Sequence, residues 1–203
     1  MKLYFSRGAC SLAVRIIINE LGKNCEFEAV NLKSKQTDEG QDYLKINPKG
    51  SVPVLELDNG QRLTENCVIL QFLADSSQAR HLLPGTGDFN RYRVLEWLNF
   101  ITTELHKSFG AIFNPKIPQE MKDKVFIPII KTKLGFVDKQ LKHRFLMGND
   151  FTLPDAYLFV ILFWCANFKI NIQEFDHLPN YFKNLQEKDC IAKSLKQEGL
   201  EIA

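Results

Sequence analysis

The stretch KLYFSRGACSLAVRIIINELG, from Lys2 to Gly22, decides the fold of the first part of the chain. Its first residues, Lys2 to Ser6, have the alternation and aromatic character of a β-strand. From Leu12 to Leu21, apolar residues recur at helical spacings, and Gly22 ends the pattern. The stretch therefore predicts a strand, a tight turn and an amphipathic helix, with Cys10 at the corner between them.

Cys10 is the first candidate for chemistry. The first N–H groups of a helix lack partners and the peptide dipoles add partial positive charge, which favours a thiolate or an anionic ligand there. A single thiol at a helix start is, however, more often a small, buried and inert residue. The opening stretch alone favours the inert interpretation and leaves the reactive one open.

Length, charge and hydropathy bound the class of protein. The chain has 203 residues, is 45% hydrophobic and carries a formal net charge of +2, which predicts a folded protein rather than a disordered one. The absence of a basic run argues against nucleic acid as a partner. The longest apolar run, residues 156–166, is shorter than the roughly 20 residues of a membrane span, and the start lacks a signal pattern. We expect no membrane partner and a cytoplasmic location.

The cysteines support neither a disulfide framework nor a metal site. There are 5 of them, an odd number, without CxxC spacing and without a cysteine and histidine cluster of zinc-ligand spacing. Cys165 lies in the apolar run LFVILFWCANF and is predicted to be core. Cys67 lies near a predicted helix start, where its neighbours Val68 and Ile69 favour burial over reactivity.

Apolar periodicity and turn residues predict a small sheet covered by helices in the order βαβαββα. After the first helix, the predicted features are a strand at Glu26–Leu32, a short helix capped within Thr37–Glu39, a strand at Ser51–Leu57, a hairpin turn at Asp58–Gly60, a strand at Gln61–Leu63 and a helix opened by Thr64–Asn66. The first strand, helix and strand favour a parallel pair with a right-handed crossover. Pro53 fits either a strand entrance or a cis Val52–Pro53 bond, which would let Val52 offer its N–H and C=O to an extended ligand.

A connector at residues 81–87 separates two predicted domains, residues 1–80 and residues 88–203. Strand signals largely disappear after the connector. The predicted helices are Phe89–Phe113, Gln119–Arg144, Leu153–Phe168, Asn180–Lys188 and Ile191–Gly199. Pro128 should kink or divide the second of them. Thr152 and Asp155 form a capping arrangement for the third. We expect an α/β domain followed by an all-α domain.

Five segments carry a resemblance to a known family: SRGACSLAVRI, DYLKINPKGSVPVLELDNG, LTEN, EWLNFITTELHKSFG and FTLPDAYLF. Their joint order and spacing, from Ser6 to Phe159, resemble the cytosolic glutathione transferases and specifically the bacterial beta class. The resemblance implies a thioredoxin-like glutathione-binding domain, an all-helical second domain and a homodimer whose active site borrows residues across the interface. It also implies glutathione as co-substrate, with no separate cofactor and no metal.

Carried over position by position, the resemblance assigns glutathione contacts to the first domain. Cys10 would lie beside the glutathione sulfur, and Lys35 would approach the glycine end. Val52, before the expected cis-proline, would pair its backbone with the cysteinyl part. Glu65 and Asn66 would hold the γ-glutamyl end at a helix start, where Asn66 remains able to cap the helix.

The resemblance also assigns residues of the neighbouring subunit to the site. Asn99 and the segment Thr103–His106 would close it, and His106 would be catalytic together with Cys10. On an α-helix, His106 would share a face with Asn99, Thr102 and Thr103. A lone histidine is otherwise most often a polar surface or interface residue, and its position within ELHKSF reverses that preference.

Three further residues bear on the sulfur chemistry. Arg7 stands where the family commonly has proline, and its charge beside Cys10 could hold an anion or lower the pKa of the thiol. Other branches of the family use a tyrosine or serine near the first strand, which makes Tyr4 and Ser11 fallback candidates.

The expected activity is conjugation of glutathione to small hydrophobic electrophiles, or turnover of organic peroxides. Phe109, Phe113 and Trp164 are candidates to line the electrophile pocket, although such residues are more often core. Two alternatives stay open: a glutathione-dependent thiol-disulfide reductase using Cys10, and a non-catalytic ligand-binding protein of the same fold.

Overall fold

In the computed structural model, which describes residues 1–202, the chain folds into two compact units. The first unit joins Met1–Arg80 to Glu187–Glu201, and the second comprises His81–Gln186 and Ile202. The strands are β1 (Lys2–Phe5), β2 (Glu26–Asn31), β3 (Gln36–Thr37), β4 (Val54–Glu56) and β5 (Arg62–Thr64). The helices are α1 (Ser11–Glu20), α2 (Tyr43–Ile46), α3 (Asn66–Ser76), α4 (Phe89–Phe100), α5 (Lys107–Phe113), α6 (Gln119–Met121), α7 (Ile127–Gln140), α8 (Leu153–Asn167), α9 (Leu178–Gln186) and α10 (Asp189–Glu198), with π-helical segments at Ile101–His106 and Lys122–Phe126.

The first unit is a five-stranded mixed sheet of order β3-β2-β1-β4-β5. β1 pairs in parallel with β2, which confirms the predicted βαβ unit, and it pairs antiparallel with β4. The predicted hairpin turn is also confirmed, because Leu57 N–H donates to Gln61 C=O at 2.8 Å across it. This arrangement brings the end of β1, the start of β4 and the end of β5 to one edge of the sheet.

The stretch after β2 differs from the prediction. Thr37 does not cap a helix; it is 5% exposed and belongs to β3, which pairs antiparallel with β2. Helix α2 is capped instead by Asp42, whose side chain accepts a hydrogen bond from Leu44 N–H at 3.0 Å. The backbone of β2 supplies hydrogen-bond partners for β3, and a β-branched residue such as Thr37 favours the strand conformation.

The last helix belongs with the first unit rather than with the preceding helices. Arg15 on α1 is buried, and its Nε donates to Glu198 of α10 at 2.9 Å. The Arg15 guanidinium also lies 4.2 Å and 3.8 Å from the ring centroids of Phe5 and Phe27. The prediction placed α10 in the domain of residues 88–203, whereas in the structure α10 belongs to the first unit. The buried arginine of the first unit requires the carboxylate of Glu198 as its partner.

The second unit packs around α8, which is buried along almost its whole length. The predicted capping box of Thr152 and Asp155 is confirmed. Pro128 lies in the first turn of α7, directly after a π-helical segment, and the backbone stays helical from Gln119 to Gln140, so Pro128 does not divide the predicted helix, which ends before Arg144. Within residues 1–202, no helix is long and apolar enough to cross a membrane, and no group of three or more histidine, cysteine, aspartate or glutamate side chains could hold a metal ion.

Candidate active site

The thiol of Cys10 lies at the corner between β1 and α1, as the N-cap residue of the helix. It is 9% exposed, and its Sγ donates to the carbonyl of Val52 at 3.5 Å. The Val52–Pro53 bond is cis, as one of the two sequence interpretations has it. The structure therefore brings together Cys10, which the resemblance assigns to the sulfur of glutathione, and Val52, which it assigns to the cysteinyl part.

Burial controls the ionisation of Cys10. It raises the pKa of the thiol to about 12, and it outweighs the backbone N–H groups of Cys10 and Ser11, which lower the pKa. The expectation that the helix start favours a thiolate is wrong for this structure, because desolvation of the charged form is the larger effect. Cys10 is thus a protonated hydrogen-bond donor at neutral pH.

The other candidates near the first loop have structural roles. Arg7 is exposed, and its charge lowers the pKa of Glu198. It is not among the main influences on the pKa of the Cys10 thiol. Ser11 is fully buried, where its hydroxyl accepts from Ser6 N–H at 3.2 Å. Tyr4 is 3% exposed and lies in the core of the sheet. The fallback candidates therefore support the Cys10 loop from within the core.

The start of α3 combines a strained residue with a buried amide. Glu65 has a positive φ of 70°, which is unfavourable for a side chain with a Cβ. Asn66 is 7% exposed, and neither Nδ2 nor Oδ1 has a hydrogen-bond partner in the part of the chain that the structure describes. Asn66 is also the first residue of the helix instead of its cap, which corrects the sequence expectation.

Two lysines supply positive charge in the first unit, and one of them contacts Glu65. Lys35 has a φ of 57° and donates from Nζ to the carbonyl of Gly50 at 2.7 Å. Lys49 donates to Glu65 Oε1 at 2.6 Å and to Thr64 Oγ1 at 3.0 Å. Lys49 was not predicted as a site residue, because its turn sequence NPKG explains it equally well as a surface lysine.

In the helical unit, His106 is turned towards α8. Its Nδ1 lies 2.6 Å from the hydroxyl of Tyr157, and the Trp164 ring is 5.0 Å away between centroids. Burial, with a smaller effect from the charge of Lys107, lowers the pKa of His106 to about 4. The ring is therefore neutral at physiological pH.

Asn99, Thr103 and His106 differ in their exposure and in their hydrogen bonds. Asn99 and Thr103 are exposed, and the Thr103 hydroxyl donates to the carbonyl of Asn99 at 3.0 Å. His106 is only partly exposed and bonds inward. The segment Ile101–His106 is π-helical and has more residues per turn than an α-helix, so α-helical spacing does not describe the relative positions of these residues.

Comparisons with known proteins agree with this architecture. Residues 8–76 match the model of the glutathione S-transferase N-terminal domain, and residues 100–189 match the C-terminal domain. The chain is 42% identical to glutathione S-transferase GstA of Escherichia coli O157:H7 over 99% of this chain and 100% of that protein. The chain belongs to the glutathione S-transferase family.

Solved structures of this family place the chain near its bacterial beta class. The ternary complex of BphK, a bacterial glutathione S-transferase, is 42% identical with a TM-score of 0.94 and covers 98% of this chain and 100% of that one. The bacterial beta-class enzyme of Sphingomonas chungbukensis is 37% identical with a TM-score of 0.93, over 99% and 100% of the two chains. The resemblance and the fold class read from the sequence are thereby confirmed.

Proposed function

We propose that this glutathione S-transferase conjugates the thiol of glutathione to small hydrophobic electrophiles. The observation that carries the proposal is the buried amide of Asn66, which has no hydrogen-bond partner among residues 1–202. An unpaired buried polar group costs about 1–3 kcal/mol. The γ-glutamyl end of glutathione carries a carboxylate and an ammonium, which match the donor and the acceptor of this amide.

The charges nearby complement the rest of the tripeptide. Glu65 is proposed to pair with the ammonium and Lys35 with the carboxylate at the glycine end, while the N-terminus of α3 favours a carboxylate. Glu65 is held by Lys49 in an ion pair whose side chains are 64% and 55% exposed. Such exposed pairs contribute little stability, so the carboxylate is available to a ligand.

The sulfur of glutathione would lie beside Cys10 and the backbone of Val52. A protonated Cys10 can turn its single S–H from the carbonyl of Val52 to a bound glutathione thiolate and donate to it, without competing with it as a nucleophile. In the reaction, the thiol proton of glutathione leaves to solvent, and a sulfur lone pair forms the bond to the electrophilic carbon. The leaving group departs with its electron pair.

The helical unit is proposed to act across a homodimer, where Asn99, Thr103 and His106 would reach glutathione bound by the neighbouring subunit. Aromatic rings adjoin His106 in this unit: Trp164 lies 4.9 Å from Phe113, which is 46% exposed. Such a surface favours small apolar or aromatic electrophiles. Organic peroxides of similar size are included in the proposal.

The thiol-disulfide reductase alternative would need Cys10 as a thiolate to attack a mixed disulfide. The high pKa of the buried thiol, about 12, disfavours that step. This ranks conjugation above disulfide reduction for this chain.

The test compares glutathione binding with three activities in one preparation. Calorimetry should detect glutathione binding, and conjugation to aromatic electrophiles should exceed turnover of peroxides and of glutathione mixed disulfides. Cys10→Ala should keep conjugation and lose any disulfide reduction. Cys165→Ala, which removes a fully buried thiol of the helical unit, is the matched control. Absence of both glutathione binding and conjugation would contradict the proposal, and binding without turnover would leave only a carrier.

A further inference from the structure

The hydroxyl of Tyr157 determines which ring nitrogen of His106 carries the proton. Tyr157 lies on α8 and is 1% exposed, and its hydroxyl is 2.6 Å from His106 Nδ1. A phenol hydroxyl is a stronger acid than a neutral imidazole N–H, and an imidazole nitrogen is a stronger base than a phenol oxygen. In the hydrogen bond between the two side chains, Tyr157 therefore donates and His106 Nδ1 accepts.

A neutral imidazole has one donor and one acceptor nitrogen. Because burial keeps the pKa of His106 near 4, the ring is neutral, and Lys107 is the charge that acts on it most. With Nδ1 as acceptor, the single ring proton lies on Nε2. Nε2 makes no hydrogen bond to the residues that the structure describes and remains the ring's free donor.

The orientation of the ring is fixed as well as its proton. The rings of Tyr157 and Trp164 both meet the His106 ring edge-on, at interplanar angles of 79° and 67°. These two residues lie two turns apart on one face of α8, so a single rigid helix holds the ring at two points. Rotation of the ring would break the Tyr157 hydrogen bond and bury an unpaired nitrogen.

We propose that Tyr157 is a positioning residue that fixes His106 as the tautomer protonated on Nε2, so that His106 acts as a hydrogen-bond donor and not as a base. The proposal rests on the proposed function, in which the acceptor is the thiolate of glutathione. A ring that donates can stabilise this thiolate before it attacks, while the thiol proton leaves to solvent. A preorganised donor of this kind stabilises the developing charge without reorganisation.

The first experiment measures the tautomer directly, without any ligand. Ring 15N chemical shifts of the labelled wild-type protein are recorded at neutral pH, and His106→Gln assigns the His106 signals among the 4 histidines. Nδ1 should show the shift of an unprotonated, hydrogen-bonded nitrogen and Nε2 that of a protonated one. Tyr157→Phe should shift the ring towards a mixture of tautomers.

The second experiment measures steady-state conjugation. Tyr157→Phe should lower kcat roughly tenfold, a part of the 10²–10⁴-fold effects typical of positioned proton-bearing groups. KM for glutathione should stay within about twofold, since Tyr157 does not touch the tripeptide in this proposal. Tyr181→Phe is the matched control: it removes another buried tyrosine hydroxyl of the helical unit, which donates to Asp155 at 2.7 Å, and should change neither kcat nor the His106 shifts.

The outcomes separate this inference from the proposed function. A proton on Nδ1 in the wild-type protein, or a Tyr157→Phe variant with wild-type kcat and shifts, would overturn the role of Tyr157 while conjugation stands. An equal loss of kcat in Tyr157→Phe and Tyr181→Phe would show that Tyr157 contributes only to general stability, which would also overturn the proposal. Failure of glutathione binding and turnover would instead contradict the proposed function and leave the tautomer measurement valid.

Discussion

Two helices of this protein begin with a buried polar side chain, and the two side chains differ in whether they have hydrogen-bond partners. At the start of α8, Asp155 is fully buried and accepts from Leu146 N–H, Thr152 N–H, the Thr152 hydroxyl and the Tyr181 hydroxyl at 2.6–2.9 Å. At the start of α3, Asn66 is almost as buried, yet its amide has no hydrogen-bond partner in the described chain.

The difference distinguishes a structural polar group from a binding one. A buried carboxylate that meets several donors stabilises the fold it belongs to. A buried amide without partners destabilises the fold by itself, and it is tolerated where a ligand supplies the missing groups. His106 is an intermediate case, because one ring nitrogen is bound by Tyr157 and the other is not.

The largest expected effect on the free energy of unfolding is at Asp155, whose carboxylate accepts several hydrogen bonds. Asp155→Ala should lower the free energy of unfolding by about 4 kcal/mol, because the remaining donors stay buried without an acceptor. Denaturant unfolding measures it. Asp88→Ala, which removes the side-chain cap of α4 that accepts from Asn90 N–H, should cost only about 1 kcal/mol. Equal losses in the two variants would contradict the structural role of Asp155.

The next largest effect is expected at Asn66, whose amide has no hydrogen-bond partner in the described chain. It should appear in the affinity for glutathione rather than in stability. Asn66→Leu should leave the free energy of unfolding unchanged or raise it by up to about 1 kcal/mol, since no hydrogen bond is lost. Its affinity for glutathione should fall roughly 10- to 100-fold, as for loss of hydrogen bonds to charged groups. Calorimetry and denaturant unfolding measure the two quantities.

The control for this variant is a buried asparagine that has partners. Asn47 is 3% exposed, and its Nδ2 donates to the carbonyl of Ser51 at 2.7 Å. Asn47→Leu should therefore lower the free energy of unfolding by about 2 kcal/mol. If Asn66→Leu destabilised the protein as much, the amide of Asn66 would have a structural role and the proposed function would lose its main support.

His106, which has one hydrogen-bonded ring nitrogen, should make the free energy of unfolding depend on pH. Because the pKa of His106 is lowered from 6.5 to about 4, the unfolded chain binds more protons than the folded one between those values, and stability should fall as pH falls through this window. The slope due to one residue is at most about 1.4 kcal/mol per pH unit. Urea unfolding of the wild type and His106→Gln measures it, and His177→Gln, at an exposed position, is the control. An unchanged slope in His106→Gln would contradict the prediction.

The smallest effect is expected at the exposed ion pair. Lys49→Met should change the free energy of unfolding by less than about 0.5 kcal/mol, because both partners are solvated. Measurements at low and high salt check it, since a screened pair loses its contribution in salt. A loss above about 1 kcal/mol would show that Lys49 and Glu65 form part of the fold rather than an available charge.

The sequence predicted most of the fold because its signals are local. The strand, turn and helix of the opening stretch, the hairpin turn and the capping box at Thr152 depend on residues within a few positions of one another. The short pairing of β3 and the return of α10 to the first unit could not be predicted in this way. They depend on partners distant in sequence, such as Arg15 and Glu198.

For the site, the candidate residues are predictable from the sequence: Cys10, Lys35, Val52, Glu65, Asn66 and His106 follow from ordered motifs and a family resemblance. Their chemical states depend on the tertiary structure. Burial makes Cys10 a protonated donor, leaves the amide of Asn66 without a partner and, with Tyr157, keeps His106 neutral. Desolvation and hydrogen bonding are set by neighbours distant in sequence, and they determine which proton each group holds.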